Sequence, residues 1–268
     1  VFVDGVRAEV ASGPPEVGEH TEEVRRSSAP TIPQTATAPG RPLEGLRVRD
    51  FGIGAVGVEL GRLLAEYGAD VLKVESSDFP DFIRTIMGTM MNPSFASSSR
   101  SMRGLGVDLI KARGLESVEK LVRQADVFIE NFAPGAIERL GLGYDTVREL
   151  NPKIIYAQVK GYAQDGPHAD YLSFDMIGQS VGGLLSITGE PDGVPIKPGP
   201  TIGDTGTGML MCISILSAYI QRMRTGKGQR IQLAMQDAMI QYSRIAYSTM
   251  ADTGKPGPRT GNKTIFGL

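Results

Sequence analysis

Asp204 stands among glycines and small hydroxyl residues in Pro198-Gly199-Pro200-Thr201-Ile202-Gly203-Asp204-Thr205-Gly206-Thr207-Gly208-Met209, directly ahead of the apolar run 209–222. That run predicts a helix, which places Asp204 near its positive end, where a carboxylate is stabilised and held ionised. A helix N-cap is the plain structural reading of such an acid. Three glycines within six positions, Gly203, Gly206 and Gly208, weaken a helix and leave open space around one side chain. Space beside a poised carboxylate suits nucleophilic attack on a bulky substrate.

A second chemical signal is Gly52-Ile53-Gly54-Ala55-Val56-Gly57. It follows a predicted strand at 46–51 and opens a predicted helix at 58–67, closed by Gly68, before a second strand at 70–75. The spacing G-x-G-x-x-G in that context matches a dinucleotide fingerprint, with Glu75 as the acid that takes a ribose hydroxyl. The structural alternative is a glycine turn that lets helix and strand pack closely. Alternation continues with a strand at 105–109, a helix at 115–124 and a strand at 126–130. A short helix after Pro134, a helical turn at 144–150 and a strand at 153–160 follow, with a further helix at 176–185. The economical fold is α/β: a Rossmann-like, mostly parallel sheet with helices on both faces.

Composition narrows the function classes. The 268 residues carry a formal net charge of −2, with 41% hydrophobic and 22% charged residues. There is no global basic surface, so nucleic acid and anionic membranes are not expected partners. No apolar stretch reaches the length of a membrane span, and Val1-Phe2-Val3-Asp4-Gly5 lacks the basic and apolar regions of a signal peptide, so a cytoplasmic location is the default expectation. The single cysteine, Cys212, reads as core filler. His20 and His168 are too far from it in sequence to suggest a metal site.

Taken as a whole, the chain resembles the family III CoA-transferases, the group containing formyl-CoA:oxalate and carnitine CoA-transferases. The motifs that carry the resemblance are Pro42-Leu43-Glu44-Gly45, Ala69-Asp70-Val71-Leu72-Lys73-Val74-Glu75 and Ala125-Asp126-Val127-Phe128-Ile129-Glu130-Asn131-Phe132-Ala133-Pro134-Gly135. They continue with Arg139-Leu140-Gly141-Leu142-Gly143-Tyr144, Leu150-Asn151-Pro152-Lys153, Lys160-Gly161-Tyr162-Ala163-Gln164-Asp165-Gly166-Pro167, Thr188-Gly189-Glu190-Pro191-Asp192-Gly193, Gly203-Asp204 and Arg224-Thr225-Gly226-Lys227-Gly228-Gln229-Arg230-Ile231. Their order and spacing make it specific. The fold it implies is the large domain of that family, incomplete here. The substrates it implies are coenzyme A, as acyl-CoA, and a small carboxylic acid, with no NAD, flavin or metal.

The resemblance puts the family's nucleophile on Asp204 and an adjacent acid, which could orient the nucleophile or the substrate, on Asp175; the structural alternative for Asp175 is a cap on the 176–185 helix. It puts CoA contacts on Gly54, Ala55, Val56, Val107, Asp108, Leu109, Ile110, Asn131, Phe132, Ala133, Arg139, Tyr171, Leu172, Ser173 and Phe174. Arg139 is the best single phosphate ligand among them, because a guanidinium clamps phosphate at two points. Its alternative is an exposed helix charge, and that of Asn131 is a cap. The chain also departs from the pattern. Some relatives carry glutamine where Ala55 stands, arginine where Ser76 stands and a basic residue where Ile110 stands, with Lys111 one position on as a replacement.

The same fold hosts acyl-CoA racemases, which need a base on each face of the substrate. In those enzymes a histidine precedes the acid aligned with Asp175, and here that residue is Phe174, which disfavours racemisation. A non-catalytic scaffold module is the remaining alternative. Residues 1–26, with a short helix expected near 18–24, look like the C-terminal tail of a preceding module. Residues 27–41 read as a Pro/Thr/Ala linker, and 42–268 as the N-terminal part of a second, truncated module. The expected assembly is an interlocked homodimer or a fused pair, and fused members of the family suggest dimethylsulfoniopropionate as one acid.

Overall fold

The computed structural model of the chain describes residues 2–3, 6–7, 40–86, 88 and 91–263. Two short strands, β1 (Phe2–Val3) and β2 (Val6–Arg7), precede β3 (Arg47–Asp50), α1 (Gly54–Glu66) and β4 (Asp70–Glu75). Short helices α2 (Phe82–Ile86) and α3 (Pro93–Ser98) lead to β5 (Arg103–Gly106), α4 (Ala112–Val122) and β6 (Val127–Glu130). Next come α5 (Ala136–Arg139), α6 (Tyr144–Leu150), β7 (Ile155–Lys160) and α7 (Asp175–Val181). A 3₁₀ turn at Leu185–Ile187 precedes α8 (Ile202–Thr225), β8 (Gln229–Ala234), α9 (Met235–Tyr242) and α10 (Arg244–Thr253).

The sheet runs β2-β1-β8-β7-β6-β3-β4-β5. Its six strands from β8 to β5 are parallel, whereas β1 pairs antiparallel with β8 through Phe2↔Gln232 and Val3↔Ile231. The chain steps outward from β3 to β4 and β5, then returns to the other flank of β3 for β6, β7 and β8. This reversal between β3 and β6 opens a crevice beyond the C-terminal ends of those strands, the usual ligand position in such sheets.

Period-two alternation sorts the core onto two faces. Val48, Val127, Ile129, Ile155, Ala157 and Val159 pack beneath Leu60 and Leu64 of α1 and Met211 and Ile215 of α8. Phe128 and Tyr156 point the other way, against Val118 and Val122 of α4, Ile137 of α5 and Val147 of α6. Phe51, Phe128 and Tyr156 stack in a row, with centroids 4.5 and 5.0 Å apart. Each fully buried aliphatic side chain contributes about 1.5–3 kcal/mol. The parallel sheet with helices on both faces is therefore as expected.

Local boundaries differ from expectation. β5 ends at Gly106, before most of the 105–109 segment, and β8 has no counterpart among the expected strands because Gln229, Arg230 and Gln232 break an apolar run. α1 starts at Gly54, which adopts φ +69°, and α7 stops at Val181, ahead of 185. The short helix near 18–24 and the linker up to residue 39 lie outside the described residues.

Candidate active site

The turns after β3 and β6 form the two lips of the crevice. A Cβ on Gly52 would stand 2.8 Å from the Gly57 Cα, so glycine at both positions lets the chain double back from β3 into α1. Asn131 closes the gap between the lips: its Oδ1 accepts the Ile53 amide at 2.8 Å and its Nδ2 donates to the Ile53 carbonyl at 2.7 Å. The side chain thus fixes the glycine turn from across the crevice. Glu75, the ribose ligand of the dinucleotide reading, is instead committed to Arg84 through bonds of 2.9 and 2.6 Å and to the Asp81 amide at 3.1 Å.

Between the lips lies a cavity of about 270 Å³, walled by residues 54–56, 131–133 and 171–174 and lined also by Lys160 and Asp204. A second cavity of about 550 Å³ shares Ala55, Phe82, Phe174 and Asp204 with the first, and its own wall includes Glu59, Ser94, Ser97, Ser98, Thr201 and Thr205. Asp204 therefore stands at the junction of two spaces. The expected contacts Val107, Asp108, Leu109 and Ile110 are not part of either wall. They form the loop after the edge strand β5, where Asp108 Oδ1 accepts the Ile110 amide at 2.9 Å and Ile110 is exposed. Arg139 ends α5 on the surface, outside both walls, with no hydrogen-bonding partner for its guanidinium among the described residues.

Asp204 lies inside the first turn of α8, which begins at Ile202 rather than at 209. Its carboxylate accepts no hydrogen bond among the described residues. Burial, reinforced by the charges of Asp175 and Glu59, pushes its pKa up to about 7. This corrects the expectation that the helix end holds the acid ionised: the desolvation of a half-buried group outweighs the dipole.

Asp175 is buried, and its Oδ1 accepts the Gly203 amide at 2.9 Å and the Asp204 amide at 3.3 Å. Gln179 Nε2 donates to Oδ2 at 2.8 Å, and Lys197 Nζ lies 3.9 Å away. Asp175 thus caps α8, a neighbour in space, while α7 starts behind Phe174 with no side-chain cap. The three glycines are also reassigned. A Cβ on Gly203 would stand 2.5 Å from the Asp175 carbonyl oxygen, on Gly206 2.7 Å from the Tyr242 ring, and on Gly208 3.2 Å from the Val56 carbonyl oxygen. They admit α7, α9 and α1 against α8 and do not clear space around Asp204.

Several site residues carry no local sequence signal. Glu59 reaches the second cavity from α1 while bonded to Arg62. Phe82 faces both cavities and meets Phe174 edge to face at 6.5 Å. Lys160, within a motif noted above, donates from Nζ to Glu130 Oε2 at 2.9 Å and to the Phe132 carbonyl at 2.6 Å, and so braces the second lip. Phe174 offers no proton-accepting atom. His168 stacks near Tyr171 at 4.9 Å, outside both walls, and His20 lies outside the described residues. No helix among the described residues is long and apolar enough to cross a membrane.

Comparison with known proteins follows the same lines. The family model described as CoA-transferase family III matches residues 43–266. A formyl-CoA:oxalate CoA-transferase from Streptomyces avermitilis is 37% identical over 245 residues, covering 83% of this chain and 58% of the relative. A succinate–glutarate CoA-transferase from Agrobacterium fabrum is 38% identical over 232 residues, covering 82% and 58%. Among solved structures, a CAIB/BAIF family protein from Brucella suis superposes with a TM-score of 0.78 at 36% identity, covering 84% of this chain and 61% of that one. The chain thus spans less than two thirds of the length of these relatives.

Proposed function

This chain belongs to CoA-transferase family III, and we propose that Asp204 is the carboxylate through which coenzyme A passes from an acyl-CoA to a carboxylic acid. The observation that carries the proposal is the place of Asp204, at the junction of two cavities with its oxygens free of protein hydrogen bonds among the described residues. On this reading the cavity between the two lips takes the pantetheine arm, and the hydroxyl-lined cavity takes the acyl group or the incoming acid.

The chemistry then balances without an added reagent. An Asp204 carboxylate oxygen attacks the thioester carbonyl, the C–S bond breaks, and CoA thiolate leaves a mixed anhydride. The thiolate attacks the aspartyl carbonyl and expels the donor carboxylate, leaving an aspartyl-CoA thioester. The acceptor carboxylate attacks that thioester, forms a second anhydride and releases thiolate. Attack of the thiolate on the acceptor's carbonyl then restores Asp204 and yields the new acyl-CoA. The relay divides one difficult exchange into easier steps.

Asp204→Asn tests this. The amide preserves size and cannot form the anhydride, so transfer should fall by several orders of magnitude, on the order of a lost covalent pathway, while acyl-CoA still binds. Hydroxylamine trapping followed by mass spectrometry should place the adduct within 198–209 of the unsubstituted protein only. Full turnover by the variant, or an adduct on Asp175, would overturn the assignment. Dimethylsulfoniopropionate, beside oxalate and succinate, is the acid to compare first as acceptor, on the resemblance to fused members. A fused pair of modules joined at 27–41, or an interlocked dimer, is the assembly we propose; limited proteolysis of the protein should then cut first within 27–41.

A further inference from the structure

Beside Asn131, three buried charged side chains take polar backbone atoms of the glycine turn. Lys73 Nζ donates to the Gly52 carbonyl at 2.8 Å and to Asp81 Oδ2 at 2.8 Å. Asp81 Oδ1 accepts the amides of Gly54 and Ile83, each at 3.0 Å. Asp50 Oδ1 accepts the Gly52 amide at 2.7 Å. Lys73 is 2% exposed, and Asp50 and Asp81 are 0% exposed. Burying an ion pair costs several kcal/mol per ion in desolvation, and an apolar pair of similar volume is often as stable. Stability alone is therefore a poor account of Lys73 and Asp81.

Their contacts lead to the cavity walls. Gly54, held by Asp81, adopts φ +69°, and a Cβ there would run into the Phe82 ring. Phe82 is the residue after Asp81, and with Ala55 it faces both cavities. One ion pair thus bonds the Gly52 carbonyl and the Gly54 amide, on either side of the Ile53 that Asn131 holds, and Asp81 precedes the ring in the chain. We propose that Lys73 and Asp81 are positioning residues for acyl-CoA: the pair pins the glycine turn and the Phe82 wall at the spacing that receives the thioester beside Asp204. This rests on the CoA-transfer reading of the site. Neither residue touches the reacting atoms.

The test separates positioning from folding. CoA affinity by calorimetry and thermal stability are measured for Lys73→Met and for Lys73→Met/Asp81→Leu, in which no buried charge is left unpaired between the two. Lys73→Met should lose both stability and affinity. The double variant should recover part of the stability lost by Lys73→Met and still bind CoA at least tenfold more weakly than the unsubstituted protein, because the bonds to the Gly52 carbonyl and the Gly54 amide are gone. CoA affinity within twofold of the unsubstituted protein in the double variant would overturn the proposal. Should neither variant fold, amide hydrogen exchange on the unsubstituted, ligand-free protein decides: the Gly54 amide must exchange as slowly as the amides of β3 and β4, and fast exchange there sinks the clamp. Failure of the unsubstituted protein to bind CoA would count against the CoA-transfer reading instead, and the Gly54 exchange rate still tests the clamp.

Discussion

Asp175 reaches the backbone amide of Asp204, at 3.3 Å, while its own carboxylate charge raises the proton affinity of the Asp204 side chain. One residue therefore does two opposed things to its neighbour. The hydrogen bonds to Gly203 and Asp204 hold the first turn of α8 in place, which a nucleophile needs. The negative charge disfavours the ionised form of Asp204, which attack requires. Glu59 adds to that repulsion from α1, tempered by its pairing with Arg62, and Lys197 lies 3.9 Å from the far oxygen of Asp175.

Activity and stability should respond to pH in opposite directions. With the Asp204 pKa near 7, the rate of aspartyl intermediate formation should rise with pH and level off above about 7 to 8. The folded pKa is raised above the unfolded value of 3.8, so the folded state binds this proton more tightly. The stability that results is fully present below pH 3.8 and is lost as pH rises through about 7. Asp50, whose pKa burial also pushes to about 7 against the opposing charge of Lys73, contributes in the same window. Thermal melts from pH 5 to 8 of the protein and of Asp204→Asn should therefore both slope, the variant less steeply. Equal slopes would return Asp204 to an ordinary exposed acid.

Asp175→Asn should move the rate profile. The amide oxygen still accepts the Gly203 and Asp204 amides, so the cap survives at a cost of about 1 kcal/mol or less. The charge is gone, so the midpoint of the pH–rate profile should fall below that of the unsubstituted protein, and turnover at pH 6 should increase relative to pH 8. Rapid-quench measurement of intermediate formation reads this directly. A fall in transfer of several orders of magnitude at every pH, with the midpoint of the residual rate unchanged, would mean that Asp175 takes part in the chemistry.

The parts of this site that are legible in the sequence are those governed by local pattern. Short runs rich in apolar residues mark β3, β4, β6 and β7, and the run of motifs points to Asp204. The rest depends on neighbours distant in the chain. Gly206 is a glycine because Tyr242 lies against it, 36 positions later, and its Oη donates to the Gly206 carbonyl. Asp175 caps α8 rather than α7 because the two helix starts converge, and Lys73 meets Gly52 only once β4 lies beside β3. None of these contacts has a periodicity to read. The early start of α8 escapes the sequence for a related reason: glycines argue against helix by propensity, but close packing offsets that cost here.

Asn131 should matter for binding more than for the chemical step. Its two hydrogen bonds to Ile53 tie the lips of the crevice together, and each is worth about 1 kcal/mol net. Asn131→Leu keeps the volume and removes both, so CoA affinity should drop by roughly tenfold, while the rate at saturating acyl-CoA changes by less than a factor of about three. A selective fall in the saturated rate, with affinity intact, would place Asn131 at the reacting atoms instead.

Arg139 stands apart from the rest of the site. The resemblance assigns it to phosphate, yet its guanidinium lies on the surface at the end of α5, outside both cavity walls. Pro134, a few residues before it, does line the first cavity, so on the proposed reading, in which that cavity takes the pantetheine arm, a phosphate group leaving it on that side would pass near α5. A charged hydrogen bond to phosphate is worth roughly 1.5–3 kcal/mol, so Arg139→Ala should weaken CoA binding about tenfold or more, and Arg139→Lys less, because the two-point geometry is lost while the charge remains. Pantetheine, which has no phosphates, provides the control. Its affinity should be the same for the protein and both variants. Equal weakening of CoA and pantetheine would indicate a disturbed cavity, and no weakening of either would leave Arg139 as an exposed helix charge.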